Sequence, residues 1–178
     1  MRNIEEKISL ILLFTALLIF VNGHGYIKTI HADDFAVKSI STRPNSPVAP
    51  DFTLKDLSGK TMSLKDLRGK VVLLDFTTTW CPYCKKDIPN LKKLFISMRD
   101  KNFELVSIFI NESPKKVSAF AEKYSLPYTI LLDEDAGVAR AYGIRGVPTK
   151  VVVDKKGVIG CWQCIAAEDK IDELLKEN

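Results

Sequence analysis

The chain has 178 residues, 46% of them apolar, so it can bury one well-packed domain and is short for two. Its formal net charge is +4, and its lysine pairs are scattered along the chain. Nucleic-acid binding requires a concentrated basic stripe, so we expect no nucleic-acid partner.

The chain begins with an apolar run and a linker. Residues 8–21, ISLILLFTALLIFV, number 14 and carry no charge. A bilayer-spanning helix needs roughly 20 apolar residues, whereas the core of a signal peptide needs about 7–15. We therefore expect residues 1–23 to be a signal peptide or an uncleaved membrane anchor, with a buried core helix as the third alternative. Residues 24–46 lack periodicity and form a linker, and one domain should occupy residues 47–178.

Strands and helices alternate along this domain. Turn residues at 56–59 predict a pair of short strands at 52–54 and 61–63. Continuous apolar runs indicate buried strands at KVVLLDF (70–76), FELVSIFI (103–110) and YTILLD (128–133). Helical spacing and helix-start signals predict helices at about 82–99, 113–126, 134–144 and 166–177. A hairpin should span 148–166, so the order of elements indicates an α/β sandwich with a mixed sheet.

The first Cys-x-x-Cys stands at a strand-to-helix junction. Cys81 directly follows a buried strand, and Pro82 suits the first turn of the next helix. The N–H groups at a helix start stabilise a thiolate, so Cys81 is the candidate nucleophile. Cys84 lies one helical turn later and can close or resolve a disulfide with Cys81. The pair predicts thiol–disulfide exchange with another molecule; a static disulfide or half of a zinc site is the structural alternative.

Two motifs resemble those of one family. WCPYC (80–84), with Asp75 before it and Pro89 after it, resembles the motif of thioredoxin-fold disulfide oxidoreductases. GVPT (146–149) resembles their cis-proline loop. Pro89 is expected to kink the helix that contains it.

Two longer segments resemble one branch of that family. Residues 48–76 and the strand–helix insert at 106–132 are similar to those of the exported or membrane-anchored TlpA/ResA-type proteins. The resemblance covers about residues 46–178. It implies a thioredoxin-like three-layer sandwich: a mixed central sheet flanked by helices, with an N-terminal strand extension and an inserted strand–helix segment.

The resemblance also implies roles for individual residues. Cys81 attacks the substrate disulfide and Cys84 resolves the mixed disulfide. The Val147–Pro148 bond is cis, and its backbone holds the substrate chain, although a turn proline would otherwise be expected in the trans form. The remaining substrate contacts come from three residues around the nucleophile: Trp80, Pro82 and Tyr83.

Two acidic residues are candidates for moving or tuning protons. A charge in the apolar strand at Asp75 is unfavourable, which indicates a buried carboxyl with a raised pKa that takes the proton of Cys84. A strand end facing solvent is the alternative. Asp75 matches thioredoxin, whereas the TlpA-type branch more often has asparagine there. Asp87 stands where many TlpA-type proteins carry glutamate, and it either tunes the thiols or is a solvated helix residue.

Rival classes fit less well. CPYC also occurs in glutaredoxins, but the export signal and the insert argue against them. A peroxiredoxin pattern accepts Thr78 but requires proline where Leu74 stands. A copper chaperone of this fold uses two cysteines and a histidine of the domain, whereas His24 and His31 both precede the domain. We therefore expect no metal and no cofactor, while a non-catalytic metal-binding protein of this fold stays an alternative.

The direction of exchange rests on the resemblance. It implies a monomeric reductase that takes electrons from a membrane thiol carrier and reduces exported proteins, with apocytochrome c as the commonest client. A disulfide-introducing oxidase is the alternative.

A second Cys-x-x-Cys, GCWQCIA (160–166), is predicted on the last strand. Residues three apart in a strand are about 10 Å apart at roughly 3.3 Å per residue, which is too far for a disulfide. A Cys161–Cys164 bond therefore requires the strand to bulge or end between them. Two packed free thiols, a redox relay to the first pair and a metal site are the alternatives.

Overall fold

The computed structural model describes residues 47–177, which form a mixed sheet with helices on both faces. The strands are β1 (Thr53–Asp56), β2 (Thr61–Ser63), β3 (Val71–Thr77), β4 (Phe103–Ile110), β5 (Thr129–Asp133), β6 (Thr149–Val153) and β7 (Ile159–Trp162). The helices are α1 (Pro82–Ser97), α2 (Pro114–Tyr124), α3 (Gly137–Ala141) and α4 (Ala167–Lys176), and a 3₁₀ helix spans Leu64–Leu67. The predicted signal or anchor and the linker lie outside the described residues.

The strand order across the sheet is β2-β1-β5-β4-β3-β6-β7. Strands β3, β4 and β5 run parallel to one another, while β1, β6 and β7 pair antiparallel to their neighbours. The hairpin of β1 and β2 supplies the N-terminal extension. This arrangement confirms the expected three-layer α/β sandwich with a mixed sheet.

Strand β3 is buried at every position because both faces of the sheet are covered. Successive side chains of a strand point to opposite faces. Val71 and Leu73 pack in a cluster with Leu91 of α1 and residues of α4. Leu74 packs in the cluster on the opposite face, which includes residues of α3 and the 3₁₀ helix. The continuous apolar run in the sequence is thus explained by helices on both sides.

Element ends differ from the predicted limits for local reasons. The first strand starts at Thr53 because Phe52 turns into the core, where it is 6% exposed. It ends at Asp56, whose Oδ1 accepts hydrogen bonds from the N–H groups of Ser58 (2.8 Å) and Lys60 (3.0 Å) and so closes the turn. Helices α1 and α2 each end two residues before the predicted limit.

Candidate functional site

The first cysteine pair lies at the junction between the end of β3 and the start of α1. Cys81 is the N-cap of α1 with extended backbone angles, and Pro82 occupies the first turn. The N–H of Cys84 donates to Cys81 Sγ at 3.2 Å. Both thiols are free and buried, at 3% and 5% exposure. A sulfur that receives a backbone N–H at a helix start is well placed to exist as a thiolate.

The loop that precedes β6, the neighbour of β3 in the sheet, lies against Cys81. The Cys81 Sγ–H donates to the Val147 carbonyl oxygen at 3.6 Å. The Val147–Pro148 peptide bond is cis, as the resemblance implied. The hydroxyl of Thr149 donates to the Gly146 carbonyl at 2.7 Å and closes the turn. Pro148 itself is exposed, so the outer face of this loop is accessible.

The Cys84 thiol holds its proton more tightly than an ordinary cysteine thiol. Burial raises the pKa of the Cys84 thiol from 9.0 to about 12, and the neighbouring Cys81 adds to this effect. The Thr77 side chain and the Thr78 backbone act in the opposite direction. A base is therefore needed if Cys84 is to attack a disulfide at neutral pH.

Asp75 is buried beneath α1 at 2% exposure, so the solvent-facing alternative is wrong. It shares the α1-facing side of β3 with Leu73 and Thr77, because side chains of a strand alternate. The Ser107 hydroxyl donates to Asp75 Oδ2 at 3.1 Å, and no described residue forms a hydrogen bond with Oδ1. Burial raises the pKa of Asp75 to about 6, despite the opposing Ser107 hydrogen bond. This carboxyl can therefore accept a proton near neutral pH.

Asp87 takes part in an ion pair that the sequence did not reveal. Its Oδ2 lies 2.6 Å from Nζ of Lys150, and both side chains are about one-fifth exposed. Lys150 lies on β6 directly opposite Asp75 of β3. Its ion pair with Asp87 therefore connects α1, the helix that carries the cysteines, to the strand next to the buried carboxyl. The positive charge of Lys150 lowers the pKa of Asp75, whereas Asp87 raises it. Asp87 thus lies in an interacting group rather than in open solvent.

Glu112 is a second residue that sequence reasoning missed. Its carboxylate accepts hydrogen bonds from the backbone N–H and the hydroxyl of Thr79, both at 2.6 Å. Lys116 Nζ lies 2.6 Å from the same carboxylate, which is almost completely buried. The segment that leads into Cys81 is therefore held by a charged anchor at the end of β4. Adjacent parallel strands end at the same edge of the sheet, so a polar residue two positions after each strand was the signal that the sequence contained.

Large apolar side chains surround the entrance to Cys81. Trp80 is 63% exposed and Tyr83 is 70% exposed. Both line an open groove of about 630 Å³ that also reaches Cys81 and Val147. Such a groove can receive a side chain of a substrate next to the sulfur that reacts.

The second cysteine pair forms a disulfide between Cys161, which lies in β7, and Cys164, which lies beyond its end. The sequence had placed both cysteines on this strand, but it ends at Trp162. Gln163 has a φ of 52°, which turns the chain and brings the Cα atoms of Cys161 and Cys164 to 5.7 Å. The N–H of Cys164 still donates to the Lys150 carbonyl at 3.0 Å. Within residues 47–177, no group of three or more Cys, His, Asp or Glu residues is arranged to hold a metal ion.

A family model described as the AhpC/TSA family matches residues 47–161. The chain belongs to this family. It is 33% identical over 155 residues to the thiol-disulfide oxidoreductase ResA of Geobacillus thermodenitrificans, covering 87% of each chain. It is also 33% identical over 135 residues to the ResA of Halalkalibacterium halodurans, covering 76% of this chain and 74% of that protein.

A solved structure agrees with these relatives. The thioredoxin domain of a thiol-disulfide oxidoreductase from Bacteroides vulgatus is 28% identical and superposes with a TM-score of 0.66, over 72% of this chain and 96% of that one. The thioredoxin-like fold and the resemblance to ResA-type proteins are confirmed. The chain is a thiol-disulfide oxidoreductase. In the part of the chain that the structure describes, no helix is long and apolar enough to cross a membrane.

Proposed function

We propose that residues 47–178 form the catalytic domain of a disulfide reductase that acts on exported proteins. The observation that carries this proposal is the Cys81 sulfur, which receives the Cys84 N–H and lies against the cis-proline loop. Residues 1–23 would export or anchor the domain outside the cytoplasm. Reduction of apocytochrome c before haem attachment is one client reaction that fits this location.

The Cys81 thiolate attacks one sulfur of the substrate disulfide, forming a mixed disulfide and releasing the first substrate thiol. The Cys84 sulfur then attacks Cys81 Sγ, and its proton passes to the carboxylate of Asp75. The second substrate thiol leaves, so two electrons have moved from the protein to the substrate. A membrane thiol carrier returns the protein to its dithiol form. Trp80, Pro82, Tyr83 and the Val147–Pro148 backbone hold the substrate, and Asp87 tunes the pair through Lys150.

The surroundings of the nucleophile favour the reductase direction. Strong oxidants of this chemistry owe their potential to extra stabilisation of the reduced form. Among the described residues, Cys81 Sγ accepts a single hydrogen bond, from a backbone N–H. A thiolate that accepts few hydrogen bonds gives up electrons more readily, which is what a reductase requires.

Direction is tested by the redox potential of the purified chain, measured in glutathione or dithiothreitol buffers, together with insulin reduction. We expect a potential nearer that of thioredoxin, at about −270 mV, than that of DsbA, at about −120 mV, and turnover that Cys81→Ser abolishes. A potential near the DsbA value without insulin reduction would identify a disulfide-introducing oxidase instead.

A further inference from the structure

The groove beside Cys81 has a basic rim. Besides Trp80 and Tyr83, its lining includes Ile110, Ile144 and two arginines, Arg140 and Arg145. Both arginines are exposed. Within residues 47–177, neither guanidinium forms an ion pair. Arg140 reaches only the backbone carbonyl of Asp135, at 2.7 Å.

A third cation lies beside the groove. The ammonium group of Lys86 stands over the Tyr83 ring, 5.7 Å from its centroid. Lys86 is exposed. Lys86 does not line the groove, but it adds a third positive charge next to Tyr83, which does.

Among the described residues, four carboxylates near the site interact with groups other than the arginines of the groove. Asp75 is buried beneath α1, and Asp87 is paired with Lys150. Glu112 is committed to Thr79 and Lys116. The side chain of Asp135 accepts a hydrogen bond from Gly137 N–H at the start of α3. None of these carboxylates lines the groove, so within residues 47–177 the lining contains arginines and no carboxylate.

We infer that the groove selects protein segments that carry a carboxylate side chain near the reacting cysteine, with an apolar side chain beside it. The inference rests on the proposed exchange at Cys81 and adds a substrate class to it. The apolar part of the segment lies against Ile110 and Ile144, and its one carboxylate pairs with both Arg140 and Arg145. Charge complementarity at a rim mainly raises the association rate and disfavours cationic partners.

The test uses two peptides that each contain one disulfide and differ only by glutamate or glutamine two residues from a cysteine. Each peptide is mixed with the dithiol form of the full chain, and its rate of reduction is measured. The same peptide is also reduced by dithiothreitol, and the first rate is divided by the second to remove intrinsic differences between the peptides. We expect the glutamate peptide to react about tenfold faster, since each of two exposed ion pairs changes a rate about two- to fivefold. The ratio should fall as salt is added.

Variants identify the source of the preference. Arg140→Gln/Arg145→Gln should bring the ratio to about one, and Arg145→Gln alone, which removes no hydrogen bond seen in the described residues, should lower it to about threefold. The matched control is Arg99→Gln, an exposed arginine beyond the other end of α1, which should keep the full ratio. A ratio that survives the double substitution would overturn the inference.

Two further reactions separate this inference from the proposed function. Hydroxyethyl disulfide is small and neutral, so its reduction by the wild-type chain reports exchange at Cys81 alone. If the chain reduces hydroxyethyl disulfide but reduces the two peptides at equal normalised rates, the inference about acidic substrates is wrong and the proposed reductase function still holds. Glutathione disulfide carries carboxylates but no protein segment, and a rate equal to that of the glutamate peptide would assign the groove to a small molecule and overturn the inference as well.

Discussion

Replacing Asp75 by asparagine removes a buried ionisable group and keeps the size of the side chain. Burial raises the pKa of Asp75 from its ordinary value of 3.8 to about 6. The folded state then binds this proton more tightly than the unfolded state, so stability is lost as the pH rises from about 4 to about 6. The difference between the two values, at about 1.36 kcal/mol per pKa unit, corresponds to about 3 kcal/mol above that range.

The free energy of unfolding of Asp75→Asn should therefore exceed that of the wild type by up to about 3 kcal/mol at about pH 7.5. At about pH 4 the difference should be only about 0.5 kcal/mol. Urea unfolding of the dithiol form at both pH values measures this difference. Asp172→Asn is the matched control, because that carboxyl is 52% exposed and its substitution should change stability by less than about 0.5 kcal/mol. A less stable Asp75→Asn protein at the higher pH, or an equal gain at both, would refute the reasoning.

Three other changes test separate parts of the site. Glu112→Gln removes the charged anchor of the segment before Cys81, so denaturant unfolding should show a loss of about 1–3 kcal/mol and insulin reduction should slow. Cys84→Ser removes the resolving sulfur, and mass spectrometry should detect a stable mixed disulfide between Cys81 and a substrate peptide. Cys161→Ser/Cys164→Ser opens a short loop, so unfolding should show a loss of about 2 kcal/mol while insulin reduction continues.

Each of these predictions has a result that contradicts it. Glu122→Gln alters an exposed glutamate of α2, and a stability loss equal to that of Glu112→Gln would mean that the anchor is not responsible. Complete turnover by Cys84→Ser would exclude the two-cysteine mechanism. Loss of insulin reduction in a folded Cys161→Ser/Cys164→Ser protein would favour the redox relay over a structural disulfide.

Periodicity and helix-start signals predicted the elements that surround the site. The apolar run at 70–76 indicated a strand covered on both faces, and a strand followed by Cys81 and Pro82 placed the sulfur at a helix start. Such signals are local, because they depend on residues within one or two turns of chain. They were therefore sufficient for the fold class and for the position of the cysteine pair.

What the sequence did not reveal are contacts between distant residues. The Lys150–Asp87 ion pair joins β6 to α1, and the carboxylate of Glu112 reaches Thr79 across the end of the sheet. Each depends on strand order and register, which periodicity does not specify. The bend at Gln163 also could not be predicted from the sequence, since a positive φ at a residue other than glycine is uncommon.

The turn at the second disulfide has a consequence for the whole sheet. Strand β7, at one edge, has four residues, and β2, at the other edge, has three. Long, flat edges allow sheets of different molecules to join, and short edge strands limit this association. At the start of β7, the Ile159 N–H is already bound to the Pro47 carbonyl at 2.7 Å. At its other end the Cys161–Cys164 disulfide stops the strand, so this edge offers only a short stretch of backbone for pairing with the sheet of another copy.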